Sequence, residues 1–387
     1  MIVTGEASGD VHAAELLTAL RKAAPNLRAF GMGSTHLKQA GMEILVDSAV
    51  HGSVMGLTEV FSAFGGILSA FRSLVKVAKL RKPDVLIVLD FPDFNMRLAR
   101  ALKAHTGKRV YFISPQVWAW RTGRVKSLKR DFSKIIPIFP FEEVFFKKHD
   151  VDAKWLGHPF LDHLSPVKEA SEYLSSVGLD SKRPTIALLP GSRKTEVERL
   201  AKCMLNSFSR VASGRPGVQG IVPVASSLDM DWVKSQFACE DSNLDIIFVK
   251  EDVRQVLSSV DTAIVASGTA TLEAAMCEVP FAIVYKISAI TYTVGKALVK
   301  GTKFIGMPNI VSGKEVAREF IQDQCSAGAI AAEIERILAD EKYRNQIKQN
   351  LIDVRNKLSY QGVDKSSTTM DRVAHEIISL ATGAKLS

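Results

Sequence analysis

Three apolar runs end on side chains that can do chemistry. In PDVLIVLD (Pro83–Asp90) the run closes on Asp90, and Asp93 follows between Pro92 and Phe94. A carboxylate at a strand end, beside apolar neighbours, is placed to act as a general base. One of the two aspartates can instead cap the helix expected over Asn95–Lys103; Asp93 is the expected base and Asp90 its support. TIALLPGS (Thr185–Ser192) delivers Gly191, Ser192 and Arg193 to a turn before a helix, where backbone amides, a hydroxyl and a guanidinium suit a diphosphate. TAIVASG (Thr262–Gly268) delivers Ser267, Gly268 and Thr269 to a second such turn. Glu273, one helical turn on, can accept hydrogen bonds from ribose hydroxyls. Ordinary strand–helix turns share these features, yet one basic turn and one followed by Glu favour a nucleotide. The spacing GxxxxGK[ST] is absent, which excludes a P-loop kinase or ATPase.

Other loops are more ambiguous. Gly5–Asp10 (GEASGD) carries Glu6, Ser8 and Asp10 to a helix start, where its amides can cradle an anion or bind a sugar, or its side chains can simply cap the helix. Ser114–Arg124 sets Trp118 and Trp120 beside Arg121 and Arg124, offering ring faces to sugars and paired donors to phosphate. Tryptophan is more often core, and that alternative stays open. Asn309 follows a proline in GMPNIVSG, where its amide can read a base or phosphate, or only form a turn. His158, in Gly157-His158-Pro159, reads as a hinge histidine. No His, Asp, Glu or Cys cluster has metal-ligand spacing, so no metal is expected. Phe61, Phe64, Leu68, Phe71, Val75 and Ala78 recur at helical spacing with Arg72, Lys76, Lys79, Arg81 and Lys82 among or after them. Such a stripe is usually core, but it also fits a helix lying in a membrane interface.

Near-continuous apolar strands separated by amphipathic helices predict parallel sheets covered on both faces. The fold class is α/β, with two Rossmann-like domains facing a central cleft. Their expected extents are 1–163 and 164–363, joined through the Ser- and charge-rich stretch Leu164–Arg183. A terminal helix within 364–387 is expected to return to the first domain. The helix after Gly5–Asp10 should bury Leu16, Leu17 and Leu20 on one face. The chain has 387 residues, enough for two cores, and a net charge of +9 that favours anionic partners without choosing among them. Its four cysteines form no CxxC pair and read as reduced, structural thiols. No basic-then-apolar leader precedes Gly5, and no apolar stretch is long enough to span a bilayer, so the expected location is cytoplasmic.

Taken in order, GEASGD, VMGLTEV, PDVLIVLDFPDFN, SPQVWAWR, FPFEEVFF, LGHP, LLPGSR, ASGTATLE and MPN resemble the lipid-A-disaccharide synthase family. The resemblance runs from Gly5 to Asn309, and so many blocks in the right order are specific. It implies a GT-B architecture and an inverting glycosyl transfer. UDP-2,3-diacylglucosamine would join 2,3-diacylglucosamine 1-phosphate (lipid X), giving the β-1,6-linked disaccharide 1-phosphate and UDP. By that resemblance Asp93 matches the catalytic base, and Arg193, Glu273 and Asn309 match nucleotide contacts, with Ser192 and Ser267–Thr269 beside them. Glu6, Ser8, Asp10, Met55, Trp118 and Arg121 fall on the acceptor and sugar side. Met55 and Phe61–Phe71 match the apolar region near the acceptor and membrane. Lys286 stands after Tyr285 where the family often has Arg, which keeps a cation but loses its bidentate fork. No cofactor is implied, because the UDP-sugar is a substrate. The partners implied are the two lipid substrates and the anionic inner leaflet, to which the protein would bind peripherally; a homodimer is left open. Two other readings compete: a UDP-N-acetylglucosamine 2-epimerase-like enzyme, which needs no acyl-chain surface, and a nucleic-acid module, for which no motif is present.

Overall fold

The computed structural model describes residues 1–48, 59–163, 168–238, 244–287, 303–362 and 367–383. The chain forms two compact units, Met1–Asp162 with Leu358–Ser387, and His163–Lys357.

In the first unit β1 (Ile2–Val3), α1 (Ala7–Ala23), β2 (Phe30–Gly33), α2 (Thr35–Gln39), β3 (Glu43–Asp47) and α3 (Glu59–Arg81) follow one another. Then come β4 (Val85–Val88), α4 (Pro92–Ala101), β5 (Lys108–Phe112), α5 (Val117–Trp120), α6 (Val125–Asp131), β6 (Lys134–Ile136) and α7 (Pro140–Lys147). The second unit holds α8 (Ala170–Ser176), β7 (Thr185–Leu189), α9 (Lys194–Gly214), β8 (Gln219–Pro223), α10 (Met230–Gln236), β9 (Ile246–Val249) and α11 (Val253–Leu257). It continues through β10 (Thr262–Ala266), α12 (Thr269–Met276), β11 (Phe281–Tyr285), α13 (Met307–Ser312), β12 (Glu319–Ile321), α14 (Ala327–Ala339) and α15 (Glu341–Leu358). The last helix, α16 (Thr369–Thr382), belongs to the first unit.

Each unit has one parallel six-stranded sheet, in the orders β3-β2-β1-β4-β5-β6 and β12-β11-β10-β7-β8-β9. Both follow the doubly wound pattern in which the chain runs outward one way, returns to the centre, and runs outward the other way. Alternating residues of β4 explain why the strands read as unbroken apolar runs. Leu86 and Val88 pack with Leu74, Ala78, Phe94 and Leu98 on one face. Ile87 and the following Leu89 pack with Leu16, Leu17 and Leu20 on the other. That second layer is completed by Met370, Val373, Ala374 and Ile377 of α16, so the chain end fills a gap in the first unit's core. Thr368 caps α16 through the Asp371 amide at 3.0 Å, and Asp162 accepts the Thr369 amide at 2.9 Å.

The structure corrects two boundaries. Most of the expected linker is folded, since α8 lies within it and Tyr173, Leu174 and Leu179 are buried. The helix after β4 begins at Pro92 rather than Asn95, because Pro at the first helical position fixes φ and has no amide hydrogen to satisfy. Asp93 therefore sits in the first turn.

Along α3 the stripe divides. Phe61 and Phe64 have side chains outside the described residues, Leu68 is 47% exposed, and Leu74 and Ala78 are buried. Phe71 stacks edge-on against Phe94 at 5.7 Å. No helix among the described residues is long and apolar enough to cross a membrane.

Because Ile377 is buried against α1, Ile377→Ala should destabilise the first unit by about 2 to 5 kcal/mol, the usual cost of such a cavity. Urea unfolding followed by tryptophan fluorescence measures this, and an unchanged midpoint would show that α16 is dispensable to that core.

Candidate active site

In the first sheet β1 and β4 are neighbours, Ile2 opposite Ile87 and Val3 opposite Val88, and their following loops diverge. A crevice at that point is where ligands bind in such sheets. Asp90 reaches across it from the end of β4. Its Oδ2 accepts from the Thr4 hydroxyl at 2.6 Å and the Glu6 amide at 3.3 Å, and its Oδ1 accepts from the Gly5 amide at 2.8 Å. The carboxylate thus occupies the amides at the start of α1, a position favoured by the helix dipole. Gly9 is required by this seat, since a Cβ there would lie 1.8 Å from Asp90 Oδ2.

The backbone at Asp90 is strained, with φ of 44° at Asp90 and 36° at Phe91. Buried neighbours hold it there. Asn95 Nδ2 donates to the carbonyls of Leu89 at 2.7 Å and Asp90 at 3.0 Å, and the Tyr111 hydroxyl donates to the same Asp90 carbonyl at 2.6 Å. Burial raises the Asp90 carboxyl to about 6, against the opposing hydrogen bonds from Thr4 and Gly5. Burial, with Asp90 nearby, also pushes Tyr111 well above its ordinary range, so it stays a donor.

Two amides of the expected anion cradle at Gly5–Asp10, those of Gly5 and Glu6, are therefore taken by the chain's own carboxylate. Asp10 does not face a ligand: it is buried and accepts from the Ser34 amide at 2.6 Å and the His36 amide at 2.9 Å, capping α2. The Glu6 and Ser8 side chains remain exposed. Met55 lies outside the described residues.

Asp93 has different surroundings. Its side chain is 65% exposed and pairs with Arg124 and, at 3.5 Å, with Arg121. Trp118 is half-buried and held edge-on to Phe141 at 4.9 Å, while its Nε1 donates to Glu142 at 3.0 Å. Its indole braces the arginine-bearing loop through these two contacts. Glu142 also accepts the Phe139 amide at 3.2 Å, and burial raises its carboxyl to about 8. Trp120's side chain is outside the described residues. His158 is buried and neutral, lowered to about 3 by burial, with Nδ1 accepting the Phe160 amide at 3.2 Å.

In the second sheet the corresponding neighbours are β7 and β10, so the turns at Ser192 and Ser267 flank its crevice. At the first turn Glu196 Oε2 accepts from the Ser192 amide at 3.1 Å and the Arg193 amide at 3.3 Å. Its other oxygen lies 3.4 Å from the Arg193 guanidinium, which is 66% exposed. Gly191 has φ of 109°, and a Cβ on it would stand 2.3 Å from Glu196 Oε2. The amides expected to receive a diphosphate thus hold a carboxylate. Glu196 was missed as a site residue, although a Glu three positions after a helix cap is the sequence sign of this arrangement. Tyr285 was missed too. Its hydroxyl is raised by burial, with Glu196 nearby opposed by Arg193 and Arg199, which places it beside the same turn.

At the second turn Gly268 faces open space and caps α12 without a side-chain hydrogen bond. Ser267 is half-buried, Thr269 exposed and Glu273 half-buried. These groups leave helix-start amides beside the basic turn. Asn309 does not join them. It is fully buried, its Nδ2 donating to Ala317 O at 2.7 Å and Glu319 at 2.8 Å. Its Oδ1 accepts from the Val316 amide at 2.7 Å and the Ala317 amide at 3.0 Å. All four bonding positions of its amide are used within the fold, which leaves none for a nucleotide. Among the described residues no group of three or more His, Cys, Asp or Glu side chains is arranged to hold a metal.

The family model for lipid-A-disaccharide synthetase matches residues 1–378. A lipid-A-disaccharide synthase from Myxococcus xanthus is 40% identical over 362 residues, covering 94% of each chain. One from Geobacter metallireducens is 42% identical over 362 residues, covering 94% of this chain and 93% of its own. Among solved structures, a UDP-GlcNAc 2-epimerase from Neisseria meningitidis, bound to UDP-GlcNAc, superposes with a TM-score of 0.61 at 12% identity, covering 92% of this chain and 96% of that one. Identity that low shows the shared GT-B-type fold alone. Coverage and identity across nearly the whole length decide the family: the chain belongs to the lipid-A-disaccharide synthases, which are glycosyltransferases.

Proposed function

We propose that the chain joins UDP-2,3-diacylglucosamine to the 6-hydroxyl of 2,3-diacylglucosamine 1-phosphate with inversion, releasing UDP. The observation that carries the chemistry is a half-buried carboxyl with a raised pKa at the first sheet's crevice. The base removes the acceptor proton as that oxygen attacks the sugar C1 and the bond from C1 to the diphosphate breaks. Sequence spacing points to Asp93, but the properties of a base favour Asp90. Asp90 is half-buried, fixed in orientation and raised to about 6, and its Oδ1 accepts only one of the hydrogen bonds described. Asp93 is solvated and paired to Arg121 and Arg124, a placement that suits holding those cations beside the acceptor.

Arg193, Ser192 and the Ser267–Thr269 turn are the proposed diphosphate seat, with Glu273 toward the ribose. Positive guanidinium and helix-start amides offset the charge that develops on the leaving group. No metal step is included. The exposed Leu68 and Leu80 on α3, with Arg72, Lys76 and Lys79 also exposed, support peripheral binding to an anionic bilayer surface.

Incubating the purified chain with both lipid substrates and no added metal should release UDP only when both are present; release from the UDP-sugar alone would point elsewhere. In that assay Asp90→Asn should lower kcat by about 10²- to 10⁴-fold, the range for a lost general base, with UDP affinity retained. Asp93→Asn should stay within about tenfold of the parent on the same basis. The reverse ranking would return the base to Asp93.

A base works only when ionised, so kcat/KM should climb with pH and level off above about 6. Stability carries the opposite sign. The folded carboxyl keeps its proton between its ordinary value of 3.8 and about 6, where the unfolded chain has lost it, so Asp90 costs stability as pH rises through that window. A flat profile from pH 5 to 7 would remove Asp90 from the mechanism.

Arg193→Ala should weaken UDP binding by about 1.5 to 3 kcal/mol, the size of a charged hydrogen bond. Glu196→Gln should act the other way and tighten it, because the carboxylate competes for the same amides. Calorimetry with UDP distinguishes these, and matched losses in both variants would mean that Glu196 builds the seat rather than occupies it.

A further inference from the structure

Cys203 and Cys325 are far apart in sequence, yet the fold brings their Sγ atoms to 4.0 Å. Cys203 projects from α9 and is half-buried; Cys325 follows β12 and is buried behind it. Gln322, just before Cys325, brackets the backbone of Ile287, donating to its carbonyl at 3.1 Å and accepting its amide at 3.0 Å. That double bond fixes the Cys325 segment beside Lys286, so the sulfur pair is held from both sides.

We propose that Cys203 and Cys325 form an oxidisable dithiol that closes to a disulfide on reaction with a hydroperoxide. The two sulfurs have different roles. The Cys325 contact and the positive charge of Lys286 hold the Cys203 thiol low despite burial, whereas the same contact together with burial pushes the Cys325 thiol up. Cys203, half-buried where Cys325 is buried, is the sulfur a hydroperoxide can reach and attacks it, and Cys325 is the thiol that resolves. Cys277 offers an internal contrast, since burial raises its thiol.

In the first step the Cys203 thiolate attacks one peroxide oxygen. The O–O bond breaks, its electron pair leaves on the other oxygen, which takes a proton, and sulfur becomes a sulfenic acid, oxidised by two electrons. The Cys325 sulfur then attacks the Cys203 sulfur, the S–O bond breaks, and hydroxide leaves as water with the Cys325 proton. The sulfurs must close from 4.0 Å to about 2.05 Å. The bond would tie α9, which begins directly after Arg193, to the segment after β12.

The test treats the full chain with stoichiometric hydrogen peroxide, quenches in acid, alkylates and maps peptides. The expected result is a Cys203–Cys325 peptide pair two hydrogens lighter than the separate peptides, restored by dithiothreitol. Iodoacetamide should label Cys203 faster than Cys277 at neutral pH. Cys325→Ser should leave Cys203 as a sulfenic acid that a cyclic dione traps, whereas the parent chain should give little trapped product. The proposal is overturned if the parent accumulates as much sulfenic acid as the variant, or if Cys203 is oxidised without the linked pair appearing. The parent-chain mapping decides the question even if the variant fails to fold.

Discussion

The contact on which the first unit turns is the Asp90 carboxylate seated on the opening amides of α1. It joins the ends of β1 and β4, the two strands between which the sheet reverses its winding. Much local sequence follows from it. Gly9 has no side chain because the carboxylate occupies that space, and Gly5 is small because Phe91 packs against it. Thr4 contributes a hydroxyl where an apolar residue would leave an acceptor unmatched. Asn95 and Tyr111 spend their polar groups on the carbonyl of Asp90, holding a left-handed backbone that an isolated chain would avoid.

Each unit applies the same physical device with a different outcome. In both, a carboxylate of the chain satisfies helix-start amides at the crevice of a doubly wound sheet. In the first unit it arrives from another strand, with its backbone locked by buried donors. In the second it comes from Glu196, within the first turn of the helix it caps, on a side chain of the same local segment. The first arrangement fixes a carboxylate in place between two strands. The second keeps two backbone donors organised at the start of α9.

Much of this architecture is legible in the residues. Unbroken apolar strands identify parallel sheets, Leu16, Leu17 and Leu20 mark the buried face of α1, and ordered motifs specify the family. The distribution of roles within motifs is not legible, because it depends on contacts between distant segments. Asp90 and Asp93 look alike in sequence, and only burial by Thr4, Gly5 and Tyr111 separates them. In sequence Asp10 closes the GEASGD motif before the expected helix, but it lies within α1 and its carboxylate is used by the amides of Ser34 and His36. Asn309 and Trp118 carry recognition chemistry, yet their polar groups are engaged by Glu319 and Glu142. Nothing in the spacing of Cys203 and Cys325 announces that α9 and the segment after β12 meet.

The strain at Asp90 and its raised pKa have a common origin. A carboxyl is raised to about 6 when the fold limits its access to water, and limiting that access at a loop takes a backbone that turns sharply back over the sheet. A relaxed turn would carry the side chain outward, as the first turn of α4 does with Asp93, and solvent and arginines would then stabilise its charge. Left-handed dihedrals, glycines at close approach and buried donors are thus parts of one solution: they hold a weak acid half-buried at the crevice, where its hydrogen bonds only partly offset the burial. Architecture shared at low identity with a 2-epimerase therefore does not determine chemistry, which rests on the particular side chains that the fold places at its crevices.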